Sequence, residues 1–190
     1  DASKLHLINE EFLRLSEEIL SRDKFFVMQH PHQHSYLEEC AEYVSKGWVD
    51  SNKLLEFTKL VSETHFDFEE YFSPLCTIIW RSSRNEEFDK LWWQWYRKGG
   101  IRDQLSFSIS LQLSGIEYDS ENSRTFIDKF SDGSPEGIWF KKTDQNRCGD
   151  YEYADPVDPT EFADLLTELT GLYDWEKYYR SGTDRITGEY

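Results

Sequence analysis

The stretch from Lys24 to Gly47, KFFVMQHPHQHSYLEECAEYVSKG, decides the fold class. It opens with the apolar run Phe25-Phe26-Val27-Met28 between Lys24 and Gln29, the pattern of a short buried strand. Ser35 then precedes Glu38 by three positions, the spacing of a capping box, in which each side chain satisfies a backbone N–H that the first helical turn leaves unpaired. Behind it Leu37, Cys40, Ala41 and Val44 recur on one helical face, and Gly47 supplies the stop. A buried strand delivers the polar segment from His30 to His34, and a capped helix follows.

Working outward, Ile8, Phe12, Leu15 and Ile19 form a stripe that predicts a helix from about Asn9 to Ser21. A third helix is expected to start near Asp50 or Ser51 and to bury Leu54, Leu55, Leu60 and Val61. The run from Leu75 to Trp80 reads as a second central strand, ended by the polar residues from Arg81 to Arg84. Phe88, Leu91, Trp92, Trp95 and Tyr96 then mark the face of an aromatic helix closed by Gly99-Gly100. Trp93 points off that face, either toward a neighbouring element or as part of a ligand wall.

Between Arg102 and Leu113 two patterns compete. Leu105, Phe107, Ile109, Leu111 and Leu113 alternate as a strand would, whereas Leu105, Ile109 and Leu113 also fit a helix; periodicity alone favours the strand. Beyond Gly115 the chain is polar through Gly149, with short strands expected at Ile116 to Tyr118 and Ile138 to Lys141. A last helix is announced by Asp158 as N-cap, Pro159 in the first turn and Glu161, with Phe162, Leu165, Leu166 and Leu169 as its stripe and Gly171 as its end. Residues 1–150 are expected to form one domain. Residues 151–190 would pack on it or lead elsewhere.

Composition narrows the function. With 190 residues, 38% hydrophobic and 16% aromatic, the chain can fill one core, and its many rings suit both packing and stacking on flat ligands. A net charge of −16 argues against nucleic acid or an anionic membrane surface, since both demand clustered Lys and Arg. A nucleotide diphosphate remains possible where a divalent cation and a few basic groups neutralise it locally. Cys40, Cys76 and Cys148 are widely spaced, which suggests neither a disulfide framework nor a zinc knuckle and fits reduced thiols in a cytoplasmic setting. No run approaches the ~20 apolar residues of a membrane span.

Two polar clusters lie where an α/β sheet would place ligands, at strand or helix boundaries. One is His30-Pro31-His32-Gln33-His34, with Glu38 and Glu39 just beyond. Imidazoles two apart on extended chain point the same way, so His30, His32 and His34 fit a metal site, or a hydrogen-bonding and surface role. The other is Arg102-Asp103-Gln104, after Gly99-Gly100. These three residues suit a ligand site, or a helix start at which Asp103 meets the positive end of the dipole.

The order His30-Pro31, Glu38-Glu39-Cys40, Trp92-Trp93 and Arg102-Asp103-Gln104-Leu105-Ser106-Phe107 resembles a plant and bacterial family of glycosyltransferase-like domains that includes mucilage-associated proteins. The resemblance spans roughly residues 1 to 116. In that family the first motif is similar to His-Pro-x-Arg followed by Tyr-Glu-Glu-Ala, and the later one to Arg-Asp-Gln-x-Ser-Phe after a Trp-rich helix. It implies an α/β fold of GT-A-like three-layer type, and sugar transfer from a nucleotide-sugar donor to a glycan or other hydroxyl acceptor.

The resemblance also assigns roles. Asp1, with Ser3 where a second Asp is usual, occupies the place of the motif that holds Mn²⁺ or Mg²⁺ against the donor diphosphate. Asp103 would be the catalytic base or the carboxylate holding the sugar; His30, Gln33, Glu39, Trp93, Arg102 and Gln104 would bind substrate. Gln33 stands where the family has Arg, which removes a basic contact. The resemblance further implies a nucleotide-binding βαβ portion before Asp1, in a longer chain or a partner, and a helix rather than a strand over Leu105 to Leu113. Two other classes fit the same residues: a non-catalytic carbohydrate-binding or interaction domain derived from a transferase scaffold, and a hydrolase pairing Glu38 or Glu39 with Asp103.

Overall fold

The computed structural model describes residues 10–30, 35–99, 102–122, 155 and 160–172. Six helices and three strands are seen among them: α1 (Glu10–Leu20), β1 (Phe25–Gln29), α2 (Tyr36–Ser45), α3 (Ser51–Ser62), β2 (Pro74–Trp80), α4 (Glu86–Gly99), α5 (Asp103–Ser114), β3 (Tyr118–Asn122) and α6 (Thr160–Thr170). The chain is mixed α/β. It divides into two compact units, one holding α1 and the three strands, the other holding α2 to α6.

In the first unit β1 is the central strand of a sheet ordered β2-β1-β3. It runs antiparallel to β2, with Phe26 opposite Trp80 and Val27 opposite Ile79, and parallel to β3, with Phe25 opposite Tyr118 and Gln29 opposite Asn122. Phe25, Phe26, Val27 and Met28 are all buried, which explains why β1 reads as a continuous apolar run and not as an alternation. Among the described residues β2, expected as a second central strand, pairs on one side only, with β1. β3 begins at the last residue of the expected Ile116 to Tyr118 strand and extends through Asp-Ser-Glu-Asn, a run whose pairing no local pattern announces. Ion pairs support it, Lys24 to Glu117 at 3.3 Å and Arg22 to Asp119 at 3.6 Å, both exposed and worth little individually.

α1 lays its stripe on this sheet. Ile19, Phe26, Met28 and Trp80 form a core joined by Phe12, Leu15 and Leu20. The Trp80 indole N–H donates to Ser16 Oγ at 2.9 Å, so the ring can be buried without leaving its one polar atom unmet.

The second unit is helical. Both halves of the capping box are present at the start of α2, where Ser35 accepts from Glu38 N and Glu38 accepts from Ser35 N. Asp50 caps α3 by accepting from Lys53 N. The inward face of α3 is Leu54, Phe57, Thr58 and Val61, whereas Leu60, expected inside, is 40% exposed. Spacing by i, i+3, i+4 and i+7 selects Thr58 over Leu60, and its hydroxyl is accommodated by Leu54 O and the Tyr36 hydroxyl, each at 2.9 Å. Tyr96, expected on the buried face of α4, is 39% exposed. On α6, Leu166 is buried and Leu165 faces out; its expected capping residues Asp158 and Pro159, and the expected strand at Ile138 to Lys141, lie outside the described residues.

The segment from Leu105 to Leu113 is helix, which overturns the strand favoured by its alternation. Every residue from Leu105 to Leu111 is buried, so α5 is enclosed on all sides and needs no polar face. The alternation arises because large side chains are interleaved with serines that let neighbouring elements approach. Ser106 and Ser110 return their hydroxyls to Asp103 O at 3.1 Å and Ser106 O at 2.7 Å, so burying them leaves those hydroxyls satisfied. Phe107 meets Phe88 and Trp92 of α4 edge-on, at ring separations of 5.5 Å and 4.8 Å. Each such fully buried large side chain contributes roughly 1.5–3 kcal/mol.

Candidate functional site

The site is built at the start of α5, and its floor is made by the end of α2. Gly47 adopts φ 63°, a left-handed conformation that ends the helix. Gly47 N donates to Val44 O at 3.0 Å and Trp48 N to Tyr43 O at 2.8 Å, the paired bonds of a Schellman motif. That turn folds Trp48 back beside Tyr43, with ring centroids 6.1 Å apart. The buried Tyr43 ring and the half-buried Trp48 ring, separated by a helix stop, are thereby brought together.

Arg102 occupies the N-cap position of α5 and makes no side-chain cap bond. Its guanidinium lies instead over the Trp48 ring at 4.3 Å and reaches toward the Tyr43 ring at 5.9 Å. Lys46 also approaches Trp48, at 4.6 Å. These are cation–π contacts, each worth about 0.5–1 kcal/mol where solvent is near. Asp103 follows as the first helical residue, half-buried, where the helix dipole favours a carboxylate.

Gln104 links this surface to the interior. The Tyr43 hydroxyl donates to Gln104 Oε1 at 3.3 Å. Tyr43 is itself buried, and burial pushes its phenol well above the ordinary value; the charge of Glu39 and the neighbouring Tyr71 push the same way, while Arg102 opposes them. Glu39 is only 5% exposed and accepts from Ser73 Oγ at 3.0 Å. The polar path therefore runs from buried Ser73 and Glu39, through Tyr43, to half-buried Gln104 and exposed Arg102.

The expected site residues divide as follows. Glu39, Arg102 and Gln104 meet through Tyr43, with Asp103 between the last two in sequence. Trp93 lies on α4 in the same unit, 60% exposed, its ring stacked on Tyr96 at 5.8 Å and 17°. His30, half-buried after β1, belongs to the first unit. Asp1, Ser3 and Gln33, with His32 and His34, lie outside the described residues. Among the described residues no three His, Cys, Asp or Glu side chains gather as a metal would require, and no helix is long and apolar enough to cross a membrane.

Tyr43, Trp48, Tyr71 and Ser73 were not singled out by sequence. For Tyr43 a signal existed, since it sits four residues after Glu39 on one helix face. Trp48 directly follows the helix-ending glycine, the position that a Schellman motif packs back on its helix.

Comparison with protein-family models, with curated proteins and with solved structures finds no match to this chain.

Proposed function

We propose that the chain is the acceptor-side part of a glycosyltransferase of GT-A-like fold, moving a sugar from a nucleotide-sugar donor to a glycan or other hydroxyl acceptor. One observation carries the reading: a guanidinium, a carboxylate and an amide follow one another in sequence at the start of α5, and the guanidinium rests on the Trp48 ring. A carboxylate and an amide are the groups that hydrogen-bond sugar hydroxyls, and aromatic faces take the apolar side of a pyranose ring.

Asp103 would take the proton from the attacking hydroxyl or hold the acceptor ring, Gln104 would bind a sugar oxygen, and Arg102 would meet an anionic donor group. The exposed ring of Trp93 is a second stacking surface for substrate. His30 and Gln33 keep the substrate contacts that the family resemblance gives them. Mn²⁺ or Mg²⁺, held by Asp1 and Ser3, would neutralise the leaving diphosphate. The roles given to Asp103 and Gln104 do not depend on it.

The test is release of nucleoside diphosphate from a panel of UDP- and GDP-hexoses, with and without Mn²⁺, using the longest available form of the protein. Transfer should stop with chelator, and Asp103→Asn should lower kcat by about 10²–10⁴-fold while the melting temperature holds. Glycan affinity with no turnover would replace this reading with a binding module. Sugar release from a glycoside without nucleotide would replace it with a hydrolase.

A further inference from the structure

The outward side of α4 carries a pattern that the core does not explain. Phe88 and Trp95 turn inward, while Glu86, Lys90, Trp93 and Arg97 run along the opposite, exposed side at i, i+4, i+7 and i+11. Trp is highly buried on average, yet Trp93 stands in the middle of this solvent stripe, its ring stacked on the exposed ring of Tyr96. Lys90 meets Glu86 only at 3.8 Å, and Arg97 makes no ion pair among the described residues. Two cations and one anion therefore line the stripe, in a chain whose net charge is −16. Trp, Tyr and Arg are also the residue types that supply most of the binding energy at protein interfaces.

We propose that this face of α4 binds a second copy of the chain, the two α4 helices lying antiparallel about a two-fold axis. The stripe is complementary to its own reverse. With Glu86 opposite the partner's Arg97, Lys90 comes opposite the partner's Trp93, and symmetry makes each contact twice. One contact is an ion pair and the other a cation–π pair, so both attract. A parallel pairing would instead set each charge against its own copy. Elsewhere the excess of acid makes two copies repel, and a face with more cations than anions is where that repulsion is weakest. A helix of 14 residues is about 21 Å long, which places the contact among small, weak interfaces, with a dissociation constant on the order of 10–100 µM. The pairing does not depend on the transferase reading. It covers the Trp93 ring, so a second copy and a substrate stacked there exclude each other.

Sedimentation velocity of the whole chain from about 5 to 500 µM tests this, with circular dichroism to confirm that each variant is folded. The wild type should move from a monomer toward a dimer boundary across that range, and Trp93→Ala should weaken association at least about tenfold. Glu86→Arg and Arg97→Glu should each abolish it, since either change sets like charges opposite one another at both ends of the stripe. Mixed in equal amounts, these two variants should pair with each other about as strongly as the wild type pairs with itself, because the acids of one copy then face the bases of the other. A wild type that stays monomeric throughout, or a mixture that associates no better than its components, would overturn the proposal. A dimer that Trp93→Ala leaves intact would place the interface elsewhere and overturn it too, and this exposed substitution decides the matter even if a charge variant fails to fold. Oligosaccharide binding that depends on Trp93, in a protein that does not self-associate, would give the face to a glycan instead.

Discussion

Gly47 shows how much one residue can position. Its left-handed backbone returns Trp48 to Tyr43 and so makes the surface on which Arg102 lies. Gly47→Ala should cost about 1 kcal/mol in urea unfolding, and it should also shift tryptophan emission as Trp48 loosens from Tyr43. At Ser35 the loss concerns α2 alone: Ser35→Ala removes one half of the capping box and should lower stability by about 1 kcal/mol with emission unchanged. Caps of this kind were legible because their partners lie three residues apart. Tyr43 and Gln104 are separated by 61 positions, so their hydrogen bond had no local signature.

At the level of elements, α5 tests the idea that its serines are space for neighbours. Ser110 is completely enclosed and bonds the carbonyl one turn back. Ser110→Ala should therefore change stability by less than about 1 kcal/mol, whereas Ser110→Leu should destabilise by about 1–3 kcal/mol as α5 is forced from its neighbours. Equal effects of the two substitutions, measured by thermal unfolding, would show that the hydroxyl and not the volume matters. Periodicity chose wrongly here for a physical reason. A period of two describes a half-buried strand, but an enclosed helix has no polar face from which a period of 3.6 could be read. The same limit applies to β3, whose polar residues gain their place from pairing with β1.

At the scale of the molecule, three acids among the described residues titrate against burial. Burial holds the Cys40 thiol well above its ordinary value of 9.0 and the Tyr36 and Tyr43 phenols well above 10.0, with Glu39 adding to the first and third and Cys40 to the second. Each is raised in the folded state, so its contribution is fully present below the unfolded value and is lost as pH rises toward the folded one. Stability to urea should accordingly stay level with respect to these groups up to about pH 8 and fall above about pH 9, as the unfolded chain ionises first. Cys40 should resist alkylation in the folded protein at neutral pH, because its thiol is both enclosed and protonated.

Sequence by itself determined the caps of α2 and α3, the buried strand β1, the stop at Gly47 and the acidic, aromatic character of the chain, since each depends on residues a turn or less apart or on simple totals. It also marked Arg102, Asp103 and Gln104 by their place after paired glycines. Tertiary structure decided that α5 is an enclosed helix, that β1 lies between β2 and β3 in the described sheet, and that Tyr43 meets Gln104 across 61 positions. Those outcomes depend on what surrounds an element on every side, and contacts between distant positions leave no period in the chain.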